Sequence, residues 1–357
     1  MNFKVFYGVS LKYEDNTWLH KELSRYGTTE IIDVADFWFQ LRQYKPRSVI
    51  GQLLHVFIAW IQAIKLILST NKKDIIVTRS HNVSLVFMLI VRILHLKRRM
   101  VAYNWIDIPK KRYAKLARIA LENENFIPVV NARWLMTAFR EKYQLTDMKG
   151  IYIPDTYDIN DVFLSPRDKK QKYIFAGGIN NRDWQTLLRA ASLEPNLQFK
   201  LVANKYLWQE RDIPFNVEVI FDLTPDKYYE LLCGAYICVV PLKEDKVSGL
   251  INIIKAHQYG IPCVTVALGC TDIYYPPTQV DVCMYKAGEA ESLAEKIRCI
   301  YAMSEKEYVT LGNALQCYLR EEFSPTKLVK VLIDYLQHEQ WITGEEAHEV
   351  CGNSNTI

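Results

Sequence analysis

The sequence predicts an α/β protein made of two Rossmann-like, doubly wound domains in tandem, expected to face each other across a cleft. Three observations carry this expectation. Short apolar runs alternate with longer amphipathic ones along most of the chain, which is the pattern of a parallel sheet covered by helices on both faces. The alternation lapses once, over 159–171 (INDVFLSPRDKKQ), and then resumes. A chain of 357 residues is also long for one core and comfortable for two. The expected domains are 1–160 and 171–335, followed by a polar tail over 336–357.

The elements follow in order. FKVFYG, TEIIDV, DIIVTRS, RMVAYNWID, ENFIPVVN and GIYIPD are short apolar runs and read as strands. Between them, NTWLHKELSRYG, the run 51–68, VSLVFMLIVRILHL, KKRYAKLARIALEN and ARWLMTAFREKYQ carry apolar residues at helical spacing. Beyond the lapse, KYIFAGG, NLQFKLVAN, NVEVIFDL, YICVVPL, IPCVTVAL and DVCMYK read as strands. RDWQTLLRAASLEP, DKYYELLCGA and the segment from Ser248 to Tyr259 read as helices between them. Three further helices close the series: ESLAEKIRCIYAM, KEYVTLGNALQCYLREEF and PTKLVKVLIDYLQHEQ.

Composition excludes several classes. Half the residues are apolar and 24% are charged, ordinary for a folded globular chain. All eight cysteines lie beyond residue 230, with no CxxC pair and no histidines at zinc-like spacing, so neither a metal site nor a cofactor is expected. Unpaired cysteines in apolar runs suit a reducing cytoplasm. The N-terminal MNFKVFYGVS reads as a first strand rather than a signal peptide. The apolar run 51–68 is interrupted by Gln52, His55, Gln62 and Lys65 and is not expected to span a bilayer.

Charge is unevenly distributed. Through Asp161 the chain carries 24 Lys and Arg against 15 Asp and Glu, leaving the remainder net negative. The cations gather at Lys97-Arg98-Arg99 and at Lys110-Lys111-Arg112 with Lys115 and Arg118, beside apolar helices. That arrangement predicts peripheral binding to an anionic membrane, at its cytoplasmic face. Nucleic acid is a poor partner, because no aromatic platforms interleave the basic residues.

Two segments beyond the lapse carry the chemistry. YIFAGGINNRDW (173–184) is strand, glycine turn, then helix. Gly177 and Gly178 let backbone N–H groups approach a ligand, the following helix offers its positive end, and Arg182 suits a phosphate oxygen. The same pattern also occurs as plain α/β structure. In YICVVPLKEDKVSGLINIIKAHQYGIPCV (236–264), Ser248 and Gly249 open a helix whose first N–H groups form a second anion cradle. Ser248, Asn252, Lys255 and Gln258/Tyr259 line one face of that helix, which reads either as a solvated stripe or as a ligand-facing one. Two such helix starts in one domain read together as a diphosphate site.

The order Gly177-Gly178…Arg182-Asp183-Trp184, then VVPL and SGLxxxxKAxxxGxPxV, then Gly269-Cys270-Thr271-Asp272, resembles the C-terminal domain of GT-B glycosyltransferases over 172–275. The alternating layout extends that resemblance over most of the chain. It implies a metal-independent transferase that moves a sugar, UDP-linked, from a nucleotide diphosphate donor to a lipid-linked or glycan acceptor of surface polysaccharide. Gly177, Gly178, Arg182, Ser248, Gly249, Lys255 and Gln258 would bind the donor. Where the large retaining group keeps a ribose-holding glutamate, this chain has Lys255. Lys255 with Gln258 is similar to the xanthan glucuronosyltransferase type, which is inverting and membrane-bound.

The acceptor then belongs to the first domain. Inverting transfer needs a base for the acceptor hydroxyl. Asp107, between a strand and Pro109, is the candidate, although it could equally cap a helix. Asp33, Asp36 and Asp155 are weaker candidates, and Gly8 and Ser10 are placed beside the acceptor. Two other readings compete: a nucleotide-sugar epimerase of the same fold, and a sugar-nucleotide-binding partner without turnover.

Overall fold

In the computed structural model, the described residues are 1–8, 18–34, 49–105, 114–166, 172–206, 208–209 and 212–342. The chain divides into two compact units, each with one six-stranded sheet. Asp107, Ser10, Asp36 and the cluster Lys110-Lys111-Arg112 lie outside the described residues.

The first unit holds β1 (Asn2–Phe6), β2 (Thr28–Ile31), β3 (Ile75–Thr78), β4 (Arg99–Ala102), β5 (Phe126–Val130) and β6 (Ile151–Tyr152). All pair in parallel, in the order β2-β1-β3-β4-β5-β6. Val5, Val77, Val101 and Val129 fill one face of this sheet against α1 (Trp18–Leu23). The crossover helices α2 (Val49–Leu68), α3 (His81–Ile93) and α4 (Ala114–Leu121) pack in sequence, α2 on α3 and α3 on α4. Helix α5 (Arg133–Tyr143) leads into β6.

The second unit holds β7 (Tyr173–Gly177), β8 (Gln198–Ala203), β9 (Val217–Phe221), β10 (Ile237–Val240), β11 (Cys263–Val266) and β12 (Met284–Tyr285). These too are all parallel, in the order β12-β11-β10-β7-β8-β9. Between them run α6 (Trp184–Leu193), α7 (Pro225–Gly234), α8 (Leu250–Gln258) and the single turn α9 (Val280–Cys283). Helices α10 (Ala290–Tyr301) and α11 (Glu305–Glu322) follow. A complete capping box starts α11, with Ser304 and Glu307 each bonding the other's backbone N–H. β7, β10 and β11 are buried along their whole length, and β8 is buried at Phe199 and from Leu201 to Ala203, as a sheet covered on both faces requires.

The last helix, α12 (Pro325–His338), groups with the first unit rather than with 171–335. Its Leu328, Val329, Leu332 and Ile333 join the core under α1. Thr326 donates to Glu22 at 2.9 Å, Lys149 pairs with Glu339 at 2.7 Å, and Arg99 donates to the Trp341 carbonyl at 2.9 Å. Sequence order alone attaches this helix to the domain that precedes it. Its apolar face is instead buried against α1, close to the other end of the chain.

Candidate functional site

Each sheet reverses its strand order once. In the second unit the chain lays down β7, β8 and β9 in one direction and β10, β11 and β12 in the other, so the reversal falls between β7 and β10. Ligands of doubly wound sheets bind beyond the carboxyl ends of the strands at such a point. Gly177 ends β7, Gly178 and Arg182 follow it, and Ser248 and Gly249 follow β10. The structure therefore brings five of the expected donor residues to one switch point.

The two loops are sewn together there. Arg182 and Leu242 form an antiparallel bridge, and the Asp183 N–H donates to the Pro241 carbonyl at 2.9 Å. The Arg182 guanidinium donates through Nε to the Gly177 carbonyl at 2.9 Å. Through Nη1 it donates to the Asn180 carbonyl at 2.9 Å and to Ser248 Oγ at 3.2 Å. Ser248 in turn donates to the Asn180 carbonyl at 3.0 Å. These contacts use three of the five N–H groups of Arg182.

Arg182 is only 6% exposed, and burial lowers its pKa from the ordinary value. Among the described residues no carboxylate pairs with it. Every acceptor it holds is a neutral carbonyl or hydroxyl. A buried charge is costly unless an opposite charge meets it, and an anion reaching this guanidinium would offset that cost.

The two glycines are also packed against side chains of the site. A Cβ on Gly177 would lie 2.3 Å from the Tyr228 hydroxyl, and one on Gly178 would lie 2.3 Å from Arg182 Nη2. Their missing side chains make room for Tyr228 and Arg182. Gly178 and Gly249 also have φ of +137° and +82°, which L side chains resist.

The two helix starts are not equivalent either. At α6, the Asp183 carboxylate accepts from the Thr186 N–H at 3.2 Å and the Thr186 hydroxyl at 2.7 Å, so the helix's own cap fills its positive end. This corrects the expectation of an anion cradle at that helix. At α8, Gly249 is the N-cap and supplies no side-chain bond. The Asn252 N–H turns back to the Gly249 carbonyl at 3.0 Å, so the positive end of α8 is met by no side-chain cap and its first two N–H groups are the ones a ligand could reach.

The polar stripe on α8 is neither a solvated face nor a uniform ligand surface. Asn252 and Tyr259 are each 6% exposed and Gln258 has no exposed surface. Asn252 donates to the Gly177 carbonyl at 3.0 Å and to the Tyr228 hydroxyl at 2.6 Å. Lys255 and the Tyr259 hydroxyl both donate to the Asp161 carboxylate, and Gln258 donates to the Asp161 carbonyl at 3.1 Å. Burial raises the Asp161 carboxyl, but the bonds from Lys255 and Tyr259 and the Lys255 charge outweigh it, holding Asp161 below the usual carboxylate range. The buried Gln258 amide is committed to the chain leading into the second sheet. Lys255 is likewise held by Asp161, about 9 Å along the helix from Gly249.

In the first unit, the reversal falls between β1 and β3. Gly8 follows β1 with φ of +79°, and a Cβ there would lie 2.7 Å from Ser80 Cβ after β3. Gly8 thus stands at the switch point expected to hold the acceptor. Asp33 accepts from the Val34 N–H at 2.8 Å. The Asp155 backbone N–H donates to Tyr274 at 3.0 Å. Tyr228, which shapes the β7 exit together with Asn252, carries no ligand signature in sequence. Its role follows only from the contacts of Gly177 and Asn252.

No protein-family model matches this chain, and no curated protein matches it. Solved structures do. A trehalose-6-phosphate structure from E. coli bound with UDP-2-fluoro glucose superposes with TM-score 0.65 at 10% identity, over 94% of this chain and 99% of that one. A glycosyltransferase from Rickettsia africae ESF-5 matches with TM-score 0.61 at 12% identity, covering 95% and 98%. Anabaena HepE, in complex with UDP, matches with TM-score 0.61 at 15% identity, covering 94% and 99%. The fold is GT-B.

Proposed function

We propose that this chain is a glycosyltransferase that moves a sugar from a UDP-linked donor to a lipid-linked or glycan acceptor, in surface polysaccharide synthesis. One observation carries the reading: a buried guanidinium, met by no carboxylate among the described residues, sits at the β7/β10 switch point beside the uncapped start of α8. Fold neighbours support the nucleotide, since the HepE structure holds UDP and the E. coli structure a UDP-sugar.

In this reading the donor diphosphate lies against the first turn of α8 and the Arg182–Ser248 pair. As the glycosidic bond breaks, negative charge grows on the leaving diphosphate. Fixed positive groups there stabilise the transition state more than the ground state. Asp107 takes the proton from the acceptor hydroxyl as it attacks the anomeric carbon, with the acceptor lying beside Gly8 at the switch point of the first sheet. Released from Asp161, Lys255 would meet either the donor phosphate or a uronic acid carboxylate. The carboxylate contact is the basis for a glucuronosyl donor.

A thermal-shift panel of nucleotide sugars, followed by donor turnover with and without acceptor, tests this. Stabilisation by UDP-sugars together with turnover lost in Asp107→Ala supports transfer. Failure of every nucleotide diphosphate to stabilise the chain rejects it. A second reading, a sugar-nucleotide-binding partner without turnover, is favoured by the Lys255–Asp161 pair in place of a ribose-holding glutamate. Binding without turnover decides for it.

A further inference from the structure

Four strands end the two sheets: β2, β6, β9 and β12. β6 and β12 have two residues each and β2 has four. β9 has five, Val-Glu-Val-Ile-Phe, and is paired only on its β8 side. The Phe199 N–H donates to the Asn216 carbonyl at 2.9 Å. By alternation, Asn216, Glu218 and Ile220 turn their backbone groups to β8, and Val217, Val219 and Phe221 turn theirs outward. The Val217 N–H is taken by the Pro214 carbonyl at 3.0 Å. The Val217 carbonyl and both backbone groups of Val219 and Phe221 meet no partner among the described residues.

Such an edge accepts a further strand unless lysine, proline, a bulge or shortness guards it. β9 contains no lysine and no proline, and its one charged residue, Glu218, stands beside Lys200 of β8. The apolar character continues ahead of the strand, where Ile213 and Phe215 are 42% and 87% exposed. β9 is also its own complement. Laid antiparallel on a second copy with Val219 on the two-fold axis, it sets Val217 opposite Phe221 and Glu218 opposite Ile220. No charged side chain then stands opposite its like. The two Val219 residues exchange N–H and carbonyl, and each Phe221 N–H reaches the Val217 carbonyl of the other copy. None of these bonds displaces one already made.

We propose that β9 is the interface of a two-fold homodimer, in which the second-unit sheets of two copies join edge to edge. Any extended segment could add its backbone here, but the row Val-Glu-Val-Ile-Phe supplies its own match, which favours a second copy. Phe215 and Ile213 of each copy add apolar contact beside the seam. β9 lies two strands away from β7, so the proposal does not depend on the donor site and stands or falls separately from it.

Sedimentation velocity of the full chain over a range of concentrations is the test, and a species of twice the chain mass is expected at the higher ones. Ile220→Lys and Ile220→Glu remove the same apolar side chain, so their difference reports what stands opposite. The lysine would meet Glu218 of the second copy and the glutamate would be repelled by it. Ile220→Glu should therefore dissociate at least about fivefold more readily than Ile220→Lys. Glu218→Lys added to Ile220→Glu should restore the dimer, a rescue that a folding defect would not give. Cooperative thermal melting should persist in each variant, showing that the fold is intact. Three results overturn the proposal: a monomer at every concentration, a dimer equally strong in the two Ile220 variants, or a double variant that melts cooperatively and stays monomeric.

Discussion

Arg182 Nη1 lies 3.2 Å from Ser248 Oγ, joining the loop after β7 to the start of α8 across the strand-order reversal. The contact makes the two loops one structure and puts a buried positive charge at the helix start. Arg182→Ala should therefore do two things. It should lower stability by about 2–4 kcal/mol, for the lost hydrogen bonds of a buried charged group, and it should abolish stabilisation by nucleotide diphosphates. Arg182→Lys should keep the charge but lose the fork that reaches Gly177, Asn180 and Ser248 together, so it should recover little of either. Urea unfolding with and without UDP measures both effects.

Glycine substitutions separate backbone strain from steric conflict. Gly288 has φ of +73°, and a Cβ added there would find nothing within 4 Å, so Gly288→Ala should cost only about 1–2 kcal/mol. Gly178→Ala adds a 2.3 Å conflict with Arg182 and should cost more, with loss of the UDP shift. Denaturant midpoints of the two variants make the comparison.

The Lys255–Asp161 pair should behave as an anchor of the segment entering the second sheet. Both side chains are less than a quarter exposed, so a double-mutant cycle of Lys255→Met and Asp161→Asn should give a coupling of about 1–3 kcal/mol. The pair also predicts acid sensitivity. The folded Asp161 pKa is held below its unfolded value, so its stabilisation is full above the ordinary carboxylate range. It is lost as pH falls through the lowered folded value. Asp161→Asn should flatten that limb of the stability–pH curve.

His257 gives a second, separable window. It has no exposed surface, stacks edge-on against Tyr275 at 4.8 Å, and burial pushes its pKa down to about 3. The unfolded imidazole takes its proton near pH 6.5 and the folded one does not. Stability should therefore fall as pH drops from about 6.5 towards the folded value, by up to about 1.4 kcal/mol per pH unit. His257→Phe should remove this slope while keeping the ring packing. Chemical unfolding across that range checks it.

Much of this is legible in the sequence, because both sheets announce themselves by period. Every strand of the two sheets overlaps an apolar run of strand length, and the switch-point residues Arg182, Ser248 and Gly249 read as helix starts. What is not legible depends on contacts between distant parts of the chain. That Asp161, nearly a hundred residues away, holds Gln258 and Lys255 shows only in the structure. So does the packing of Tyr228 and Arg182 into the space that Gly177 and Gly178 leave. Asp183 shows the same limit at shorter range. The residue types mark a helix start there, but only the geometry shows the Asp183 carboxylate capping it.

The central claim is that the β7/β10 switch point holds a diphosphate. Equilibrium titration of the unmodified chain with UDP, UMP and uridine tests it most directly, because only the number of phosphates changes. Saturable binding that weakens sharply from UDP to UMP and again to uridine is the predicted result. Equal binding of all three, or none of any, would contradict it.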